Sequence, residues 1–194
     1  MVPGERGCAV LLPGRAYDVS APLLARAGQV LAAEGWEVRR LAWDGPAPLP
    51  GEVDPGVAED FVVRHLRAAT ADLQPGRAGA VLVVAKSLGT RAAANAASRG
   101  WSAAWLTPLL DDASCRAGIA ANPAPQLLVG GTADAYWDAA VAAGLGRAAS
   151  VEVLEVEAAD HGLALPGEAA VSAAVLDRVG EALAALARQV GVTP

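Results

Sequence analysis

Short apolar runs alternate along this chain with longer segments whose apolar residues recur at helical spacing. Gly7 to Leu12 is an apolar run closed by the turn signal Pro13-Gly14. Ala21 to Glu34 sets Leu23, Leu24, Ala27, Val30 and Leu31 on one helical face, and Gly35 ends it. Trp36 to Trp43 reads as a strand with charges on one face. Trp43 to Gly56 holds four prolines and reads as a loop. Val57 to Leu73 is an amphipathic helix, and Ala80 to Ala85 is the central strand. Arg91 to Ser98 has helical character, and Ala103 to Leu106 is a short strand. Asp111 to Ala120 is a short helix, Gln126 to Val129 a strand, and Asp134 to Leu145 helical. Val151 to Val156 is a strand, and Glu168 to Val190 a long terminal helix.

This alternation predicts an α/β architecture: about six parallel strands with helices on both faces of the sheet. Crossovers in such a sheet are right-handed, and ligand sites lie beyond the carboxyl ends of the strands. No repeat, low-complexity tract or linker interrupts the pattern, so residues 1–194 are expected to form a single domain.

Composition narrows the function classes. Apolar residues make up 54% of the chain and the net charge is −6. An acidic chain without a basic stripe repels phosphate backbones, which argues against nucleic acid as a partner. It has neither a basic membrane patch nor an apolar run long enough to span a bilayer. The opening residues lack the plan of a signal peptide, so a soluble cytoplasmic protein is expected. Cys8 and Cys115 give neither a disulfide framework nor metal-ligand spacing, and no metal or organic cofactor is expected.

The candidate chemistry starts at Val81 to Thr90. A buried-type run stops at Ala85-Lys86-Ser87-Leu88-Gly89, and a helical segment follows at once. A serine in so sharp a strand-to-helix turn needs small residues two before and two after it, here Ala85 and Gly89. Lys86 is expected at the surface or behind the site, because neighbours in such a turn point apart. A helix N-cap serine would fit the same local pattern. Of the two histidines, His65 falls within a predicted helix and reads as a solvated or half-buried residue. His161 follows the last strand, on a loop leaving the carboxyl edge, where a base could reach Ser87. Imidazole titrates near neutrality and can accept and return a proton. A carboxylate should hold its tautomer. Asp134 follows the preceding strand and the pair Gly130-Gly131, and it could also cap the next helix. Asp138 lies one turn further on, and Asp160 is adjacent to His161 and poorly placed. Oxyanion donors are expected from the N–H of Leu88 and from the Pro13-to-Tyr17 loop, through Arg15 or Ala16 with Arg15 preferred.

Taken together, these segments resemble a small lidless α/β-hydrolase, similar to the dienelactone-hydrolase-like group. The resemblance rests on Leu11-Leu12-Pro13-Gly14 with Tyr17, Lys86-Ser87-Leu88-Gly89-Thr90 and Thr107-Pro108-Leu109-Leu110, and on Gly130-Gly131-Thr132-Ala133-Asp134 with Asp160-His161-Gly162. It implies a reduced α/β-hydrolase fold and a Ser87-Asp134-His161 triad in that chain order. Ala85 stands where the family usually has glycine, and Pro13-Gly14 where many relatives carry His-Gly. Dienelactone hydrolases proper use a cysteine nucleophile, so their reaction is not implied. Leu106 to Asp111 is too short to hold a lid, which implies an open cleft overhung by the 43–56 loop, with Tyr17, Trp43 and Trp137 as pocket aromatics.

The expected function is hydrolysis of a small-molecule carboxylic ester or thioester by a serine hydrolase. The alternative is a non-catalytic protein of the same fold that binds a small ligand or protein partner. A phosphate-binding protein would need a glycine-rich first loop, and Pro13-Gly14-Arg15-Ala16 has one glycine.

Overall fold

The computed structural model describes residues 6–49, 54–73 and 80–190. The opening residues read for a leader and the middle of the proline-rich loop, 50–53, lie outside the described residues. Six strands form one parallel sheet: β1 (Gly7–Leu12), β2 (Glu37–Arg40), β3 (Ala80–Lys86), β4 (Ser102–Leu106), β5 (Gln126–Gly131) and β6 (Val151–Val156). Their order is β2-β1-β3-β4-β5-β6, and each neighbouring pair runs parallel. The chain steps outward from β1 to β2 and then returns to the other side of β1 with β3. That reversal opens a crevice above the carboxyl ends of β1 and β3, where open sheets of this class bind ligands.

The strands' burial follows their place. All residues of β1, β4 and β5 are buried, as both faces of a central parallel strand must be. The edge strands β2 and β6 keep exposed charged residues. Successive strand residues face opposite layers. Val10, Leu12, Val83, Ala85 and Leu128 pack against α2 (Pro55–Ala69), α3 (Ala93–Ser98), α4 (Ala113–Ala121) and α5 (Ala139–Leu145). Ala9, Leu11, Leu82, Val84 and Val129 pack against α1 (Pro22–Ala33) and α6 (Ala173–Val190). Each fully buried Leu or Val contributes about 1.5–3 kcal/mol relative to exposure, so the sheet holds both layers.

Several boundaries differ from the pattern reading, each for a local reason. α2 starts at Pro55, not Val57, because Asp54 accepts from the N–H of Gly56 at 2.8 Å and proline suits a first helical turn. It ends at Ala69, where the Thr70 hydroxyl turns back onto the Leu66 carbonyl at 2.8 Å. β2 is shorter than Trp36 to Trp43, and beyond Leu41 the edge loses its pairing partner. α5 starts only at Ala139, because Asp138 caps it by accepting from the N–H of Val141 at 3.0 Å. α6 starts at Ala173. Ser172 precedes it, accepting from Val175 at 3.5 Å, and the alanines at 169–170 belong to the loop.

Candidate active site

The strand β3 ends in a turn whose backbone is forced. Ser87 has φ +51°, the left-handed region that costs a non-glycine residue roughly 1–3 kcal/mol. The surroundings hold it there. Residues Ser87–Ala92 form a 3-10 turn leading into α3. The Thr90 hydroxyl donates to the Ser87 carbonyl at 2.6 Å and accepts from the Leu109 N–H at 3.3 Å. Gly89 packs so closely on β1 that an added Cβ would stand 2.9 Å from both the Leu12 Cβ and the Pro13 carbonyl. The requirement for a small residue there is therefore a packing requirement. Ala85 is fully buried, and its methyl is accommodated.

Ser87 Oγ lies 2.8 Å from His161 Nε2, and His161 Nδ1 lies 2.7 Å from Asp134 Oδ2. A neutral imidazole with its proton on Nδ1 donates to Asp134 and accepts the serine hydroxyl. The Asp134 side chain is 0% exposed and that of His161 33%, so the carboxylate is sealed while the ring reaches the surface. Two neighbouring loops set this arrangement. The Thr132 hydroxyl accepts from the Ala158 N–H at 2.7 Å, and the Ala133 N–H donates to the Ala159 carbonyl at 3.0 Å. A Cβ on Gly131 would lie 2.2 Å from that same carbonyl, so only glycine lets the two loops close.

The three acidic candidates separate cleanly. Asp134 does not cap a helix. Its Oδ1 accepts from the Tyr136 N–H at 2.9 Å, leaving Oδ2 for His161. Asp138 caps α5. Asp160 Oδ1 accepts from the N–H groups of Gly162 and Ala164, at 2.7 and 2.9 Å, and shapes the histidine loop from below.

A cavity of about 520 Å³ opens over Ser87 and His161. Gly14, Arg15, Ala16 and Leu88 lie on its wall beside the serine. Pro48, Leu49 and Pro55, from either end of the proline-rich loop, form its rim. Only residues 107–112 separate β4 from α4, and no lid domain is inserted there. The pocket aromatics need correction. Tyr17 lines the cavity, but Trp43 and Trp137 do not. Trp43 lies behind the first loop, packed on Phe61 and His65. Trp137 is buried below the surface, donating to Glu155 at 2.7 Å. A second aromatic, Tyr136, lines the cavity beside Tyr17, its ring 4.9 Å from that of His161. Its place beside Asp134 in sequence was a usable signal. The sequence reading also missed Arg91 on the cavity wall, paired with the largely buried Asp112 at 2.8 Å.

His65, expected to be solvated or half-buried, is buried. Its Nδ1 lies 2.7 Å from the Phe61 carbonyl and its Nε2 2.6 Å from Asp44 Oδ1, on the far side of Trp43 from the cavity. Lys86 is likewise not a surface residue. It is 2% exposed, its ammonium donates to the His161 carbonyl at 2.9 Å, and it lies 5.2 Å above the Tyr17 ring. The lysine thus ties the serine turn to the histidine loop.

Burial pushes the Lys86 pKa down from 10.5 to about 8, although the Asp134 and Asp160 carboxylates oppose the shift. Between these values the unfolded chain holds a proton that the folded chain has released, so rising pH favours the folded state. Lys86 by itself contributes a gain on the order of 1 kcal/mol in unfolding free energy from pH 8 to pH 9. Already between pH 8 and pH 9 the buried thiols of Cys8 and Cys115, pushed up to about 11 and about 12, act in the opposite direction and offset much of this gain, so the Lys86 contribution is read as a difference between variants. Urea titrations at the two pH values should show a change in unfolding free energy on the order of 1 kcal/mol more favourable in the wild type than in Lys86→Met. An equal change in both would assign the effect to other groups.

Among solved structures, Est1E from Butyrivibrio proteoclasticus superposes on this chain with a TM-score of 0.72 at 11% identity, covering 96% of this chain and 89% of its own. The chain has the α/β-hydrolase fold. The Pyrococcus furiosus esterase Pf2001 matches with a TM-score of 0.72 at 12% identity, over 97% of this chain and 84% of its own. XC6422 from Xanthomonas campestris, an α/β serine hydrolase without lid, matches with a TM-score of 0.67 at 16% identity, over 100% of this chain and 86% of its own. No protein-family model matches the sequence, and no curated protein sequence does. Among the described residues, no cluster of three or more His, Cys, Asp or Glu side chains could hold a metal ion, and no helix is long and apolar enough to cross a membrane.

Proposed function

We propose that this chain is a serine hydrolase that cleaves a small carboxylic ester or thioester. The observation that carries the reading is the continuous hydrogen-bond line from Ser87 through His161 to the sealed Asp134, opening onto a cavity. The esterase among the structural relatives supports the reaction class. In this mechanism His161 Nε2 takes the hydroxyl proton as Ser87 Oγ attacks the acyl carbon, and Asp134 stabilises the imidazolium that forms. The carbonyl oxygen becomes an oxyanion, for which the N–H groups of Leu88 and Arg15 are the proposed donors. His161 then returns the proton to the leaving alcohol or thiol. Water, deprotonated by the same base, releases the acid from the acyl-serine.

The direct test is covalent labelling by a fluorophosphonate, which requires an activated serine. A folded wild-type chain that resists the probe would sink this reading and favour a ligand-binding role.

The cavity also sets an expected preference. Its rim is apolar at Pro48, Leu49 and Pro55, but the Arg91–Asp112 pair and Asp111 stand on its wall. Each buried methylene is worth about 0.8 kcal/mol only where it leaves water for apolar surroundings. Acetyl and butyryl p-nitrophenyl esters are therefore expected to be turned over at least as well as palmitoyl esters. A steady rise of kcat/KM through long acyl chains would contradict this.

A further inference from the structure

Trp43 stands outside the cavity, behind the loop that follows β1, and its indole N–H donates to the Gly14 carbonyl at 2.9 Å. That carbonyl and the Arg15 N–H belong to one planar trans peptide, so they point in opposite directions. A carbonyl held toward Trp43 turns the Arg15 N–H away from it. Gly14 also borders the serine: a Cβ on it would lie 3.5 Å from the Ser87 Cβ. We propose that Trp43 is a positioning residue, whose indole N–H locks the Gly14–Arg15 peptide so that the Arg15 N–H faces an oxyanion formed at Ser87. The inference rests on the serine hydrolase reading above.

Glycine imposes little restraint of its own on this peptide, so the plane needs an external hold. The indole is itself fixed. It packs 5.2 Å from the Phe61 ring and edge-on 5.1 Å from His65, which accepts the Asp44 N–H at 3.1 Å. On the other flank the Gly14 N–H donates to the Tyr17 carbonyl at 2.8 Å. The Tyr17 hydroxyl accepts from the Leu23 N–H at the start of α1, also at 2.8 Å. Trp43 thus holds the Gly14–Arg15 peptide itself, and the Tyr17 carbonyl holds the preceding Pro13–Gly14 peptide, before charge develops; a preset donor needs no reorganisation during the reaction.

The test compares Trp43→Phe, which keeps a ring and loses the N–H, with Phe61→Leu, which disturbs the same aromatic cluster and leaves the N–H. Losing an oxyanion donor outright costs ~10²–10³ in kcat in the subtilisin case, and a donor left free to turn should cost less. Trp43→Phe is expected to lower kcat for p-nitrophenyl acetate by at least ~10-fold, with KM within about twofold. It should weaken binding of a trifluoromethyl ketone, which forms an oxyanion on the serine, in parallel with kcat/KM. Phe61→Leu should lower the unfolding midpoint and spare kcat. If Trp43→Phe folds poorly, 3-benzothienylalanine at position 43 keeps the bicycle without the N–H and carries the same test. An unchanged kcat in either form overturns the proposal, as does an equal kcat loss in Phe61→Leu. Ser87→Ala, run in the same assay, separates the two ideas. If it retains turnover, the hydrolase reading falls. If it is inactive while Trp43→Phe is normal, only the role of Trp43 falls.

Discussion

Ser87→Ala is expected to abolish both ester turnover and fluorophosphonate labelling while leaving the fold intact. The hydroxyl is the only part of Ser87 that touches His161, so its removal leaves the Thr90 bond to the Ser87 carbonyl and the Gly89 contacts in place. Alanine keeps the Cβ that already sits at positive φ, so the backbone strain is unchanged. Loss of a triad nucleophile costs ~10⁶ in kcat in the subtilisin comparison, leaving only what binding and oxyanion donors supply. Steady-state kinetics with p-nitrophenyl acetate, with circular dichroism to confirm folding, measure this. Undiminished turnover in the variant would remove Ser87 from the mechanism.

The second large effect is expected from Asp134→Asn. An amide in place of the carboxylate can present its N–H₂ to His161 Nδ1, which would favour the tautomer whose Nε2 no longer accepts the serine proton. In the trypsin-type example that error costs ~10⁴ in kcat. Here at least ~10² is expected, since the 2.7 Å bond to His161 is made by a carboxylate that no solvent reaches. Asp138→Asn and Asp160→Asn should cost much less in kcat. Asp138 caps α5, and asparagine caps nearly as well. Asp160 accepts backbone N–H groups in the histidine loop, which an asparagine oxygen can also do. Because Asp134 caps no helix, its variant should retain its stability more closely than a capping role would allow, and thermal unfolding of the three variants checks this. A large loss in Asp138→Asn beside a silent Asp134→Asn would mean that another carboxylate orients the base.

Much of this follows from periodicity. Runs such as Val81 to Ala85 and Leu127 to Val129 read as interior strands, because they are short, apolar on both faces and closed by turns. The amphipathic segments between them can only be helices covering the sheet. The turn at Ser87 was legible because its demand for small residues falls on neighbours in the chain, at Ala85 and Gly89. The carboxyl edge was legible too, since a parallel sheet delivers every strand end to one side. That alone places Ser87, His161 and the acidic candidates on one edge.

The tertiary structure decided whatever depends on how separate loops meet. Nothing near Lys86 in the sequence shows that it is buried under the histidine loop, because its partner carbonyl is 75 residues away. The choice of the carboxylate beside His161 depended on Thr132 and Ala133 binding the loop after β6, and on Gly131 leaving room for Ala159. Trp43 and Trp137 looked like pocket residues because large aromatics near loops often are. One packs behind the cavity wall and the other under Gly130, while the half-buried Tyr136 lines the cavity. The sequence by itself determines the elements, the sheet and the serine turn, since these rest on local period and local sterics. Which side chains face the cavity is decided by contacts between segments far apart in the chain, and only the folded packing sets those.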